Sequence, residues 1–325
     1  MPRVLSGIQP SGDVHLGNYL GAFARWAKEQ QPDHFFCIVD LHAITVPQDP
    51  AELRERIVDL ACWLFAAGLD PDVATVFVQS QVREHSELGW ILQCVATMGE
   101  VQRMTQFKEK SEGRESVSVG LFTYPVLQAA DILLYQADEV PVGADQQQHV
   151  ELTRDVAQRF NSRYGPTFTL PRATFPTAGA RVMDLQLVDK KMSKSLDSDA
   201  GTILLHDDEA RTRKKILRAV TDSGDEVRAA EDKPGLTNLL DLMSAVTGAH
   251  VEELERAFSG KRYGEFKTDV AEAVNAVLRP VRARYTELRA DSGAVAQLLA
   301  KGADRARDVA AQTMVAVRER VGFPG

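Results

Sequence analysis

The chain has 325 residues, 44% hydrophobic and 26% charged, with a formal net charge of −8. That is the profile of a globular chain with material for one large core or two ordinary domains. No apolar run approaches the ~18 residues of a membrane helix, so no membrane partner is expected, and the acidic balance excludes a surface coated with nucleic-acid contacts, DNA included.

The N-terminal residues Met1-Pro2-Arg3-Val4-Leu5-Ser6 run straight into a strand-like segment without a signal-peptide core or an Arg/Ser-rich transit helix, which makes the cytoplasm the expected compartment. Val4–Ser6 reads as a short strand, followed by a Gly/Pro/Ser loop to Gly12 and a helix from about Gly17. His34–Val39 is a continuous apolar run, as in a strand buried on both faces of a parallel sheet. After Pro47-Gln48-Asp49-Pro50, the residues Leu53, Ile57, Leu60, Ala61, Leu64 and Phe65 recur at helical spacing until Gly68 and Pro71. Thr75–Val78 is a further strand, and Leu88, Ile91, Leu92 and Val95 form a helical stripe. The alternation implies an α/β fold with a Rossmann-like, doubly wound parallel sheet, whose ligands bind beyond the carboxyl ends of the strands. Gly7–Gly12 and Asp40–Thr45 occupy such positions.

From about Asp207 the strand signals cease. Ala210–Ala219, Leu236–Thr247, Val251–Phe258, Phe266–Tyr285 and Ala294–Val321 all have helical periodicity, which divides the chain into a catalytic domain, 1–206, and an all-helical domain, 207–325, whose last helix can pack back on the first domain. The stretch 275–325 holds nine Lys/Arg against five acids, locally +4. Either an RNA-binding face or a plain solvated surface accounts for it. Cys37, Cys62 and Cys94 lie far apart in apolar segments without metal-ligand spacing, so all three are expected as buried thiols.

Two motifs carry chemistry. Gly7-Ile8-Gln9-Pro10-Ser11-Gly12, followed by His15-Leu16-Gly17-Asn18, places small residues at a strand-to-helix turn where backbone N–H groups can approach a nucleotide. His15 and Asn18, three apart, project from one side of the first turn, and both can donate to phosphate oxygens. An ordinary tight turn with a surface histidine explains that stretch equally well. Lys190-Lys191-Met192-Ser193-Lys194-Ser195 reads as a polar loop whose lysines can stabilise charge growing on a leaving pyrophosphate. A fixed five-residue string of this kind arises by chance in about one such chain in ten thousand.

In this order, GIQPSG…HLGN and KMSKS resemble the two signature motifs of class I aminoacyl-tRNA synthetases. Asp40–Thr45, Met104–Lys110, Thr123–Leu133 and Val140–Gln146 resemble the tryptophanyl branch, so the similarity runs through nearly the whole chain. The resemblance implies ATP-dependent activation of L-tryptophan and transfer to tRNA(Trp), with ATP and Mg2+ carried by it, and a homodimer. It assigns catalysis to His15, Asn18, Lys191 and Lys194. Contacts to ATP fall on Gln9, Pro10, Ser11, Gly17, Asn18, Gly143, Ala144, Asp145, Gln146, Val182, Lys191, Met192, Ser193, Lys194 and Ser195. The amino-acid pocket falls on Asp131, Tyr124, His42, Gln128, Val140, Val142, Gln146 and Leu5. No metal ligand among the side chains is implied.

An indole nitrogen is only a donor, so its selection needs a buried acceptor. Asp131, among Leu127, Ala130 and Leu134, can be that acceptor or a structurally paired carboxylate, and the residues alone leave these two equal; the resemblance assigns the first. His42 has the lesser alternative of a satisfied histidine at a strand end, and Lys110 can equally reach phosphate or be a plain surface lysine. Pro141 suits a strand that ends beside the pocket. Leu5, Gln128 and Ala144 stand where the family often has Phe, Met and Glu. A tyrosine-activating relative, a nucleotide-binding paralogue that charges no tRNA, and a small nucleotidyltransferase are the rival readings. The first lacks its signature loop here, the second has no use for a lysine loop, and the third has no need of a helical domain, which the resemblance gives to binding the tRNA anticodon over 207–325.

Overall fold

A computed structural model describes residues 2–111, 113, 116–175, 182–192 and 199–324, the side chains of 109–111 excepted. The sheet-forming region runs β1 Val4–Ile8, α1 Leu16–Asn18, a π-turn at Tyr19–Phe23, α2 Ala24–Glu29, β2 His34–Ile38, α3 Asp40–Ala43, α4 Pro50–Ala66, β3 Thr75–Val78, α5 Glu84–Gln93, α6 Met98–Gln102, α7 Thr105–Ser111, α8 Val119–Leu134, β4 Glu139–Pro141, α9 Gln147–Tyr164 and β5 Arg172–Thr174. Helices α10 Glu209–Leu217, α11 Pro234–Thr247, α12 Val251–Ala257, α13 Tyr263–Ala290 and α14 Ser292–Val321 follow.

The five strands are parallel in the order β3-β2-β1-β4-β5. The chain winds outward from β1 through β2 to β3, then returns to add β4 and β5 on the other side. This is the doubly wound topology expected, with its switch point between β1 and β4. Alternation along the strands feeds two cores. Phe36, Ile38, Val76 and Val78 join α4, α11 and α13 on one face. Leu5, Phe35, Cys37 and Phe77 join α5, α8 and α9 on the other. Helix α4 begins as its sequence dictates: Asp49 Oδ1 accepts the Ala51 and Glu52 amides at 2.9 Å, and Pro50 occupies the first turn.

Helix α14 lies along β3, an edge strand, and contributes Val295 and Leu299 to one core and Ala303, Ala306, Ala310 and Met314 to the other. Contact is close enough that a Cβ on Gly302 would stand 1.9 Å from the Val76 carbonyl oxygen. The edge is thereby covered, which removes a template for pairing with other chains.

Most of the basic residues of 275–325 are engaged with partners, although Arg279, Arg284, Lys301, Arg307 and Arg320 stay exposed. Lys301 pairs with Asp72 at 2.6 Å, Arg289 with Glu55 at 3.1 Å, Arg279 with Glu209 at 2.7 Å and Arg318 with Glu87. Arg305 donates to the Ala74 carbonyl at 3.2 Å. Arg289, Lys301, Arg305 and Arg318 fasten α13 and α14 to the sheet-forming region, and Arg279 ties α13 to α10. The cysteines need a correction: Cys37 and Cys62 are buried, but Cys94 is exposed. It caps α5 on the side away from the buried Leu88–Ile91–Leu92–Val95 stripe.

Candidate active site

At the switch point, a cavity of about 380 Å³ opens where β1 and β4 end. Leu5, His42, Tyr124, Gln128, Asp131, Val140, Val142 and Gln146 all line it, so the structure gathers every residue assigned to the amino-acid pocket. Three of them come from α8, where Tyr124, Gln128 and Asp131 are four and three residues apart and share one stripe. Ser118 starts that helix by accepting the Leu121 amide at 3.1 Å. Pro141 is the last residue of β4, in keeping with a ladder that stops at the cavity.

Asp131 is 3% exposed and is held on both oxygens. Gln79 Nε2 donates to Oδ1 at 2.7 Å, His85 Nδ1 meets the same oxygen at 2.6 Å, and His42 Nε2 meets Oδ2 at 2.7 Å. Burial pushes this carboxyl up, but His42, through its charge and hydrogen bond, and His85 outweigh it and hold the group well below the usual carboxylate range. Asp131 is therefore both structurally paired and turned to the cavity. A carboxylate offers about four lone-pair sites; with three taken, one on Oδ2 remains.

A chain of polar side chains rims the mouth. The Tyr124 hydroxyl donates to Gln106 Oε1 at 3.2 Å and meets His149 Nε2 at 3.1 Å. Gln106 and Gln146 both donate to Asp145 Oδ2 at 3.1 Å, and Gln128 reaches Gln146 at 3.5 Å. Gly143 also lines this cavity, and a Cβ there would sit 2.8 Å from Asp145 Oδ1. Ala144 and Asp145 are exposed in the following turn.

Gln9 is shared with a second cavity, which Pro10, Ser11, Gly12, His15 and Asn18 line. Asn18 Oδ1 accepts the His15 amide at 3.1 Å, so its NH2 end is the donor left for a ligand. Gly17 lets the His15 ring lie flat against the first turn, for a Cβ would meet His15 Nδ1 at 3.0 Å. The turn is tied to the chain beyond the lysine loop: His15 bridges to Leu204, and the Leu16 amide donates to the Ile203 carbonyl at 2.8 Å.

Val182 and Met192 are paired by a 3.0 Å backbone hydrogen bond, and both side chains are buried, so only their backbones could meet a nucleotide. Lys191 is exposed and bridged to Met183. None of these three lines either cavity. Ser193, Lys194 and Ser195 lie outside the described residues.

Several residues were not signalled by the motifs. Gln79 and His85 hold Asp131 from 52 and 46 positions away. Gln79 follows β3 directly, at the carboxyl end where such sheets take ligands, and that position was the available clue. Arg56 and Asp59 of α4 line the second cavity, beside His15 and Asn18. Asp59 accepts from the Tyr285 hydroxyl and stands 3.4 Å from His206 Nε2. Burial pushes the Asp59 carboxyl up, but those hydrogen bonds hold it below its ordinary value, and the Asp59 contact raises His206. Tyr285 stacks on Trp63 at 3.8 Å, so the pair joins α4 to α13.

Comparison with known proteins identifies the family. The family described as "tRNA synthetases class I (W and Y)" matches residues 1–279. The chain is 53% identical to tryptophan–tRNA ligase 2 of Streptomyces avermitilis over 99% of this chain and 97% of that one. The crystal structure of tryptophanyl-tRNA synthetase from Mycoplasma pneumoniae superposes with a TM-score of 0.88 at 38% identity, covering 100% of this chain and 98% of that one. The enzyme from Campylobacter jejuni, complexed with ADP and tryptophan, gives 0.86 at 36%, covering 99% and 100%. The chain therefore belongs to the class I tRNA synthetases of the tryptophan and tyrosine group, in the tryptophanyl branch.

Proposed function

We propose that this chain is a tryptophan–tRNA ligase, which activates L-tryptophan with ATP and passes the aminoacyl group to the 3′ end of tRNA(Trp). The observation that carries the reading is Asp131: a buried, ionised acceptor on the wall of the cavity, with three of its roughly four lone-pair sites taken and one left for a donor. An indole N–H fills that site, and a ring without the donor leaves a buried charge underpaired. Sites of this kind reject such analogues by roughly 10⁴. The relatives named above support tryptophan over tyrosine.

In the first step a tryptophan carboxylate oxygen bonds to the α-phosphorus of ATP as the bond to pyrophosphate breaks, giving tryptophanyl-adenylate. In the second, a terminal ribose hydroxyl of the tRNA takes the aminoacyl group and AMP leaves. No side-chain nucleophile is needed, since the substrate supplies its own. The protein's part is positioning and charge stabilisation. His15 and Asn18 face the phosphates from the first turn of α1, Gln9 stands between the two cavities, and Lys191 and Lys194 serve the departing pyrophosphate. Among the described residues no group of three or more His, Cys, Asp or Glu side chains could hold a metal ion. Mg2+ fits as an ion carried on the triphosphate, keeping most of its waters.

We further place the chain in the cytoplasm as a homodimer. Trp90, Met98 and Val119 stay 67%, 64% and 75% exposed on α5, α6 and α8, helices that pack together, and a second copy would cover them. The deciding experiment is ATP–pyrophosphate exchange with each of the twenty amino acids, followed by tRNA charging with the one that responds. Exchange with tryptophan is expected; exchange with tyrosine and none with tryptophan would overturn the assignment.

A further inference from the structure

With the arginines of α13 and α14 largely committed to internal contacts, unengaged cations have to be sought elsewhere, and α10 supplies them. Arg211, Lys214, Lys215 and Arg218 fall within one arc of this helix and its cap, since successive residues turn by about 100°. With Asp199 and Asp208 they line a groove of about 710 Å³, four cations against two acids on a chain of net charge −8.

Half of those cations are spoken for. Arg211 pairs with Asp199 and with Asp207 at 2.9 Å. Lys215 is buried, 2.8 Å from Asp207 Oδ2 and 2.7 Å from the Thr202 carbonyl. Asp208 caps the helix, accepting the Arg211 amide at 2.6 Å. Lys214 and Arg218, one helical turn apart, are exposed, and among the described residues no ion pair or hydrogen bond engages their side chains; Gln186 Nε2 donates only to the Arg218 backbone carbonyl, at 2.9 Å. The groove's acids are thus tied down internally and its outer cations are not.

Segment 199–207 holds the groove in place relative to the nucleotide cavity. It contacts Lys215 and Arg211 on one side, and on the other carries the Ile203 and Leu204 backbone that pairs with the His15 turn. A rank of cations one turn apart, opening to solvent, suits a chain of regularly spaced phosphates better than a single terminal phosphate. We propose that this groove seats the sugar-phosphate backbone of the tRNA, with Lys214 and Arg218 as its phosphate contacts. The proposal rests on the tRNA-charging reading above.

The test uses the full chain carrying Lys214→Gln and Arg218→Gln together, and as a control Lys28→Gln with Arg54→Gln, two exposed cations on α2 and α4. Binding of tRNA(Trp) is measured across a salt series beside tryptophan-dependent ATP–pyrophosphate exchange. The groove variant should bind tRNA about tenfold more weakly at ~0.1 M salt, with a salt slope smaller by roughly two, while exchange stays at the parent rate. A dissociation constant within twofold of the parent's, or an equal loss in the control pair, overturns the proposal. Absence of tryptophan-dependent exchange in the parent protein would instead strike at the function reading, so the two failures are distinguishable.

Discussion

His85 Nδ1 stands 2.6 Å from Asp131 Oδ1, while the other nitrogen of the same ring faces the Tyr135 hydroxyl at 2.8 Å. The imidazole is fixed at both ends, and through it the carboxylate is aimed at the cavity. His85→Leu should raise KM for tryptophan about tenfold and leave KM for ATP unmoved, with His85→Asn, which keeps a donor near Nδ1, recovering part of the loss. A simple structural defect would lower kcat and thermal stability without that split between substrates.

Asp131→Asn removes the charge but keeps the shape. Tryptophan KM in the exchange reaction should rise by about 10² or more, and discrimination against ring analogues lacking an N–H should shrink. An unchanged KM would remove Asp131 from recognition of the indole.

Lys191→Ala and Lys194→Ala should each slow exchange by about 10² or more while changing KM for ATP little, as charge on a leaving group develops only in the transition state. Steady-state kinetics over an ATP series checks this. A rate equal to the parent's in Lys194→Ala would sink the assignment of that lysine.

Gly302→Ala puts a methyl group into the Val76 carbonyl, and backbone on both sides leaves little room to yield. Overpacking of this kind costs about 1–3 kcal/mol. A fall in Tm of several degrees, with KM values unchanged, is the expected result in thermal melts.

His206 titrates above its ordinary value because of its hydrogen bond to Asp59, with burial opposing and the charges of Asp59 and Asp13 adding to it, against Arg289. A raised folded-state value means the stabilisation is complete below the unfolded value near 6.5 and is lost as pH rises through the folded one. Both side chains are partly exposed, so the effect is under about 1 kcal/mol. Thermal melts from pH 6 to 9 should show a small decline that His206→Gln abolishes.

The residues that announce themselves in the sequence do so by local pattern. The β2 and β3 runs and the Asp49–Pro50 start of α4 each depend on neighbours within a turn or two, and each stands where its spacing puts it, whereas Tyr124, Gln128 and Asp131 were assigned to the pocket by the resemblance. What was not legible depends on distant pairing. Gln79 and His85 converge on Asp131 only once β3, α5 and α8 are packed together. The excess positive charge of 275–325 looked outward because its acids, Glu55, Asp72, Glu87 and Glu209, sit far away in the chain. Cys94 looked buried because its apolar neighbours are; a helix turns 100° per residue, and that is enough to face solvent. The short strand β5, just three residues long, has too little pattern to announce itself.

The bridge between His15 and Leu204 gives the first signature motif and the chain that follows the second a common mount. A displacement of the backbone after residue 198 cannot proceed far without tugging on the turn that presents His15 and Asn18. The two stretches therefore hold their places by one another, and loosening the bridge would cost the position of both.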